Sequence, residues 1–209
     1  MKILYLGDSV TDSGRDKTNP ADLGNGYVKY ATENIKNACP DMDISFYNRG
    51  ISGNRTEDVV VRLDSDVIAI DPDITVLLIG INDVWHHYTS TPTRAAVETP
   101  TDRFEANLRK ILDAIKSCNS KLVMLEPFAL PRENLEIILP ELDEKIRIER
   151  RLAREYADIY ISLHGRFAEM MISADYTALT ADGVHPNDGG KRLIGGMVSD
   201  AVLQLIQED

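Results

Sequence analysis

Asp71-Pro72-Asp73-Ile74-Thr75-Val76-Leu77-Leu78-Ile79-Gly80-Ile81-Asn82-Asp83 is the passage on which the fold turns. Asp71 and Pro72 signal a turn, and the residues from Ile74 to Ile79 are then apolar almost without interruption. A strand of that kind has no polar face to give to water, so it belongs in the middle of a parallel sheet covered by helices on both sides. Working outward, Lys2–Leu6 and Ile44–Tyr47 read as strands before it, and Lys121–Glu126 and Ile159–Leu163 as strands after it. The segments between them repeat at helical spacing. Tyr27, Tyr30, Ala31, Asn34, Ile35 and Ala38 fall on one helix face, and Thr56 can cap a helix carrying Val59, Val60, Leu63, Val67 and Ile68. Further helices are expected over Asp102–Ser117, Asn134–Tyr156, Phe167–Ile172 and Asn187–Gln207, with Pro140 expected to kink or split the second of these. The mixed charges from Glu141 to Glu155 read as a solvated helix face laced with i,i+4 pairs. This alternation predicts an α/β fold, a three-layer α/β/α sandwich around a five-stranded parallel sheet. With no repeat or linker-like stretch, one domain over residues 1–209 is expected.

Composition narrows the partners. With 43% hydrophobic and 27% charged residues the chain is too apolar to be disordered and should fold alone. Its 34 acidic residues against 23 basic ones leave a net charge of -11, which repels phosphate backbones and anionic lipid, so neither nucleic acid nor a membrane surface is an expected partner. No apolar run approaches the roughly 18 to 20 residues of a membrane span. Near the start, Ile3–Leu6 runs straight into Gly7 and Asp8, which is no secretory signal, and a cytoplasmic location is expected. Cys39 and Cys118 lie far apart with no CxxC spacing, as expected of free thiols rather than a disulfide framework or a zinc site.

In an open parallel sheet the ligand crevice lies beyond the carboxyl ends of the strands. There the chain carries Gly7-Asp8-Ser9, then Asn48 to Asn54, then Gly80 to Asp83, and, before the last helix, Asp182-Gly183-Val184-His185-Pro186. Asp182 is close enough to bind a ring nitrogen of His185, fixing the tautomer and leaving the other nitrogen to take a proton. A serine hydroxyl needs such a base, and Ser9 is placed to be the nucleophile. Attack on an ester carbonyl builds a negative oxygen, for which the Ser9 and Gly53 N–H groups and the Asn82 side-chain amide are the candidate donors. Ser52, in the same glycine-rich loop as Gly53, is a rival nucleophile. Substrate-binding candidates are Asp8, Asn54, Arg55, Trp85, Tyr88 and Phe128, of which Trp85 and Tyr88 serve equally well for core packing or a subunit contact. Asp83, His86 and His87 invite a metal, but no further ligand stands at a convincing spacing, and neither a metal nor a cofactor is expected. His164 reads as structural. A different class stays open: a flavodoxin-like nucleotide or flavin binder cradling phosphate with Ser9, Thr11 and Ser13, although GxGxxG and GxxxxGK[ST] are both missing.

Taken in order, Gly7-Asp8-Ser9, Gly50-Ile51-Ser52-Gly53, Gly80-Ile81-Asn82-Asp83 and Asp182-Gly183-Val184-His185-Pro186 resemble the four sequence blocks of the SGNH hydrolases, also called the GDSL esterase/lipase family. Val10 stands where the first block has leucine. The resemblance implies a flavodoxin-like fold, Ser9 as nucleophile, His185 and Asp182 as its partners, Gly53 and Asn82 as oxyanion donors, and no cofactor. Asp8–Arg15, Asn25–Val28, Arg49–Asn54 and Gly80–Trp85 are most similar to the intracellular xylan acetylesterase branch, which implies an acetylated sugar or another small ester as substrate. Lysophospholipid or thioester hydrolysis is the alternative within the same chemistry, and a homo-oligomer is left open. Thr180 and Ala181 stand where that branch leads one to expect a bulky aromatic.

Overall fold

In a computed structural model, which describes residues 1–89 and 96–208, β3 (Ile74–Leu78) is the middle strand of a five-stranded, all-parallel sheet, and every one of its residues is buried. Beside it run β1 (Lys2–Gly7) and β4 (Lys121–Leu125), flanked by β2 (Ser45–Gly50) and β5 (Ile159–Ile161), giving the order β2-β1-β3-β4-β5. The order reverses direction between β1 and β3, which makes their carboxyl ends the switch point where ligands bind in such sheets. Successive side chains leave a strand on opposite faces. Ile3 and Tyr5 therefore meet α2 (Tyr27–Ala38), α7 (Leu163–Met170) and α8 (Asp188–Gln207), whereas Leu4 and Leu6 meet α3 (Thr56–Val61), α5 (Thr101–Ser117) and α6 (Leu139–Tyr156). These are the two outer layers of the sandwich. No described helix is long and apolar enough to cross a membrane.

Several boundaries differ from the sequence reading for identifiable reasons. β2 continues to Gly50 because the buried Asn48 is fully engaged: its amide donates to Thr11 O (2.8 Å) and Leu23 O (2.9 Å), and its oxygen accepts Gly50 N–H. Pro140 neither kinks nor splits a helix, since a 3-10 turn at Glu136–Ile138 precedes α6 and the proline falls in its first turn, where no helical N–H bond is lost. β5 stops at Ile161 and α7 begins at Leu163, ahead of the expected Phe167. The helix expected from Thr56 to Ile68 ends at Val61 and resumes as a π-helical turn at Asp64–Ile68. Two short helices after strand ends, α1 (Ser9–Asp12) and α4 (Ile81–Tyr88), were not anticipated.

The charged stretch of α6 also needs correction. Arg147, Arg150 and Arg151 do face outward among acidic partners, but Lys145 and Glu149 are only 1% exposed. Lys145 Nζ donates to Thr99 O at 2.7 Å, lies over the Phe104 ring and pairs with Glu141 at 3.6 Å, so it is held inside by two groups remote in sequence and one a helical turn away.

Candidate active site

Asp8 turns the chain out of β1. Its Oδ1 accepts Val10 N–H at 3.0 Å, capping α1 and leaving Ser9 as the first residue of that helix. Burial pushes the Asp8 carboxyl up to about 7, despite the Val10 bond and the nearby His185.

His185 arrives from the loop before α8. The loop is held by Leu130 N–H donating to Gly183 O (2.7 Å), by Ala181 N–H donating to His185 O (2.9 Å) and by Gly183 N–H donating to Thr180 Oγ1 (3.0 Å). Gly183 has φ +92°, and a Cβ there would lie 2.4 Å from Leu135 Cδ1, so only glycine allows the turn. Asp182 Oδ1 accepts the backbone N–H groups of Val184 (3.0 Å) and His185 (2.7 Å), and Oδ2 lies 2.7 Å from His185 Nδ1. Burial alone would raise the Asp182 carboxyl, but these donors and the imidazole outweigh it and hold it below the ordinary carboxylate value. An ionised carboxylate can only accept, so Nδ1 carries the hydrogen and Nε2 presents its lone pair. Ser9 Oγ lies 3.0 Å from that Nε2 and donates to it. The series Ser9, His185, Asp182 is thus continuous, and it is open to solvent, with the side chains of His185 and Asp182 48% and 34% exposed.

The donor candidates come from the next two strand ends. Gly53 has φ +81°, and the space where a Cβ would stand is open except for His86 Cε1 at 4.0 Å. Asn82, in the first turn of α4, spends one amide N–H on Asn54 O at 3.0 Å, which seats its side chain beside the Gly53–Asn54 turn. Ser9 N–H, at the start of α1, has no helical carbonyl four residues back to satisfy it. The Ser52 hydroxyl instead donates to Asp12 Oδ2 at 2.8 Å, away from His185.

Three of the substrate-binding candidates, Phe128, Asp8 and Arg55, are buried, and a fourth, the half-buried Asn54, has its side-chain oxygen engaged. Phe128 is 1% exposed and packs edge-on against Phe167 at 4.7 Å, so it is core rather than cleft wall. Asp8 is buried as a cap, and Asn54 Oδ1 is taken by Arg62 Nε at 2.9 Å. Arg55 is ion-paired with Glu57. Trp85 packs against a satellite cluster containing Val184, next to His185, and Tyr88 lies exposed at the end of α4. His87 Nδ1 is engaged by Glu141 at 2.7 Å, and among the described residues no group of three His, Cys, Asp or Glu could hold a metal ion. In the rival phosphate cradle, Thr11 is buried and its hydroxyl is bonded to Tyr27 OH at 3.0 Å.

Two features escaped the sequence. Thr56 does not cap its own helix: its N–H and Oγ1–H both donate to the buried Asp83, at 2.9 and 2.7 Å, tying α3 to the turn that carries Asn82. Burial pushes the Asp83 carboxyl up to about 6 in spite of those bonds. Arg62 reaches carbonyls from two strands, a contact that no residue-type signature announces.

A serine hydroxyl, an imidazole and a carboxylate in hydrogen-bonded series at the switch point of a parallel sheet define a hydrolase-type site. The profile of the GDSL-like Lipase/Acylhydrolase family matches residues 5–193; the chain belongs to that family and is a carboxylic ester hydrolase. It is 31% identical to an acetylxylan esterase from Geobacillus stearothermophilus over 92% of this chain and 90% of the relative. Among solved structures, a putative GDSL-like lipase from Parabacteroides merdae superposes with a TM-score of 0.87 at 30% identity, covering 96% of this chain and 94% of that one. A variant of the Geobacillus esterase with an aspartate replaced by alanine, described as a catalytic mutant, superposes with a TM-score of 0.81 at 30% identity, covering 97% and 92%. A serine-to-alanine variant of the same enzyme is likewise described as a catalytic mutant.

Proposed function

We propose that the chain is a serine esterase that removes small acyl groups, above all acetyl, from carbohydrate hydroxyls. Ser9 Oγ attacks the ester carbonyl carbon as its proton passes to His185 Nε2, and Asp182 stabilises the imidazolium across Nδ1–H. The developing oxyanion is met by the N–H groups of Ser9 and Gly53 and the free N–H of the Asn82 amide. Collapse expels the sugar oxygen, which takes the proton from His185. Water then attacks the acyl-serine with His185 again as base, releasing the acid and restoring Ser9.

The observation that carries this reading is the series from Ser9 Oγ to His185 Nε2 (3.0 Å) and from His185 Nδ1 to Asp182 (2.7 Å), built from segments 176 residues apart. The acetyl-sugar preference is supported by likeness to an acetylxylan esterase along 92% of the chain. A half-exposed imidazole leaves room for a bulky alcohol, and a net charge of -11 disfavours work on anionic lipid surfaces. Trp85 and Tyr88 are the remaining candidates for a sugar-stacking wall. The test is a panel of acetylated xylooligosaccharides, p-nitrophenyl esters of increasing acyl length, acyl thioesters and lysophospholipids. The highest kcat/KM is expected on acetylated sugars; a higher value on lysophospholipids or thioesters would reassign the substrate.

A further inference from the structure

The three oxyanion donors come from three strand ends, and the sheet itself does not set their spacing. The β1–β2 ladder stops at the pair Gly7 and Gly50, and the β1–β3 ladder at Gly7 and Leu78. Ser9, Gly53 and Asn82 lie two, three and four residues past those last rungs. One backbone bond, Ile51 N–H to Gly7 O at 3.1 Å, carries the β1–β2 link a residue past its last rung, and Thr56 ties α3 to the Asn82 turn through Asp83. Side-chain bonds must complete the register of all three donors, because an oxyanion site works only when its donors converge within a few tenths of an ångström.

Arg62, at the end of α3 and with its side chain only 12% exposed, sits behind this gap. Its Nη2 donates to Gly7 O at 3.0 Å, two residues before the nucleophile. Its Nη1 donates to Arg49 O at 2.8 Å, at the end of β2, and its Nε donates to Asn54 Oδ1 at 2.9 Å, next to Gly53. Asp66 pairs with Nη1 and fixes the guanidinium from the other side. The chain of bonds does not end at Asn54, whose carbonyl accepts the Asn82 amide at 3.0 Å. One planar fork therefore joins the nucleophile strand to the Gly53 turn directly and to Asn82 through Asn54. Lysine, a single point of charge, cannot reproduce contacts in three directions.

We propose that Arg62 is a positioning residue for the oxyanion site, setting the separation of the Ser9, Gly53 and Asn82 donors without touching substrate. This rests on the reading of those three groups as oxyanion donors. The test measures kcat and KM on p-nitrophenyl acetate for Arg62→Lys, Arg62→Gln, Asn82→Ala and the Arg62→Gln/Asn82→Ala double variant, with thermal melts to establish folding.

Displaced donors should lower kcat by about 10- to 100-fold, with KM within about twofold, since a shift near 1 Å costs on that order. The Arg62→Gln loss should shrink to a few-fold once Asn82 is already alanine, because the two act on the same charge. A purely structural arginine would cost the same in both backgrounds. Unchanged kcat in folded Arg62→Gln, or full additivity beside a costly Asn82→Ala, overturns the proposal alone. An Asn82→Ala variant with unaltered kcat removes the oxyanion reading, and the proposal falls with it. Should Arg62→Gln not fold, Asn54→Leu, which deletes only the Nε acceptor, decides: a loss of kcat that is non-additive with Asn82→Ala supports the proposal, and an additive loss or none overturns it.

Discussion

Replacing Asp182 by asparagine separates the carboxylate's two jobs. In the native loop it accepts three hydrogen bonds: Oδ1 takes the N–H groups of Val184 and His185, and Oδ2 takes the ring Nδ1–H of His185. Asparagine can keep the first two with its carbonyl, so the loop should hold its shape and the melting temperature should stay close to native. Its NH2 then faces Nδ1 and must donate to it, which moves the ring hydrogen to Nε2 and leaves no lone pair for the Ser9 proton. The lost charge matters less. With the pair half-exposed, two charges about 4 Å apart interact by roughly 1 to 4 kcal/mol, and solvent screening favours the low end. That term is about tenfold in rate, at 1.4 kcal/mol per decade. The wrong tautomer supplies the rest, for a combined fall in kcat of about 10³- to 10⁴-fold. Initial rates on p-nitrophenyl acetate, with melts and circular dichroism alongside, would measure it. Asp182→Ala should also lose melting temperature, because two loop N–H groups lose their acceptor. An Asp182→Asn enzyme that is folded and within twofold of native kcat would refute the reasoning.

Other outcomes follow from the interior. Glu149 is buried beside the charges of Glu126 and Asp83, and burial first and those neighbours second raise its carboxyl well above the ordinary value. The native state therefore holds a proton that the unfolded chain has released. This stability is full below the ordinary glutamate range near pH 4 and is lost as pH rises toward the folded value. Glu149→Gln is always neutral, so its melting temperature minus that of the native chain should widen from pH 5 to pH 8; a constant or narrowing difference would contradict the assignment. Phe128→Ala should cost about 3 to 5 kcal/mol as a core cavity, on the order of 10 °C in melting temperature, while KM of the folded enzyme stays unchanged; a KM effect without destabilisation would return Phe128 to the cleft. General-base work by His185 needs a free Nε2 lone pair, so kcat/KM should rise with pH, and a flat profile from pH 5 to 8 with chemistry limiting would count against that role. Because burial pushes Asp8 beside Ser9 up to about 7 and Asp83 up to about 6, the rise should be broader than one titration.

What could be read from the chain was whatever lay close in sequence or repeated with a period. The uninterrupted apolar run of β3 announced a central strand, and Asp182 and His185, three residues apart, announced a carboxylate and imidazole pair. Helices α1 and α4 span four and eight residues, too short for a period to appear. Phe128 and Asp8 were misplaced because nearness to a strand end does not say to which side of the turn a side chain points. Lys145 looked like a solvated charge because, beyond its i,i+4 partner Glu141, the carbonyl that receives it lies 46 residues away at Thr99. Arg62 was invisible for a related reason: two of its acceptors are backbone carbonyls, and the bonds to Gly7 and Arg49 span 55 and 13 residues.

The most direct measurement is mass-spectrometric mapping of the residue modified by a fluorophosphonate, paired with acetate release by Ser9→Ala. The account expects label on Ser9 alone, none in the variant, and turnover lost with the melting temperature unchanged. Label on Ser52, or acetate released by folded Ser9→Ala at the native rate, would contradict it.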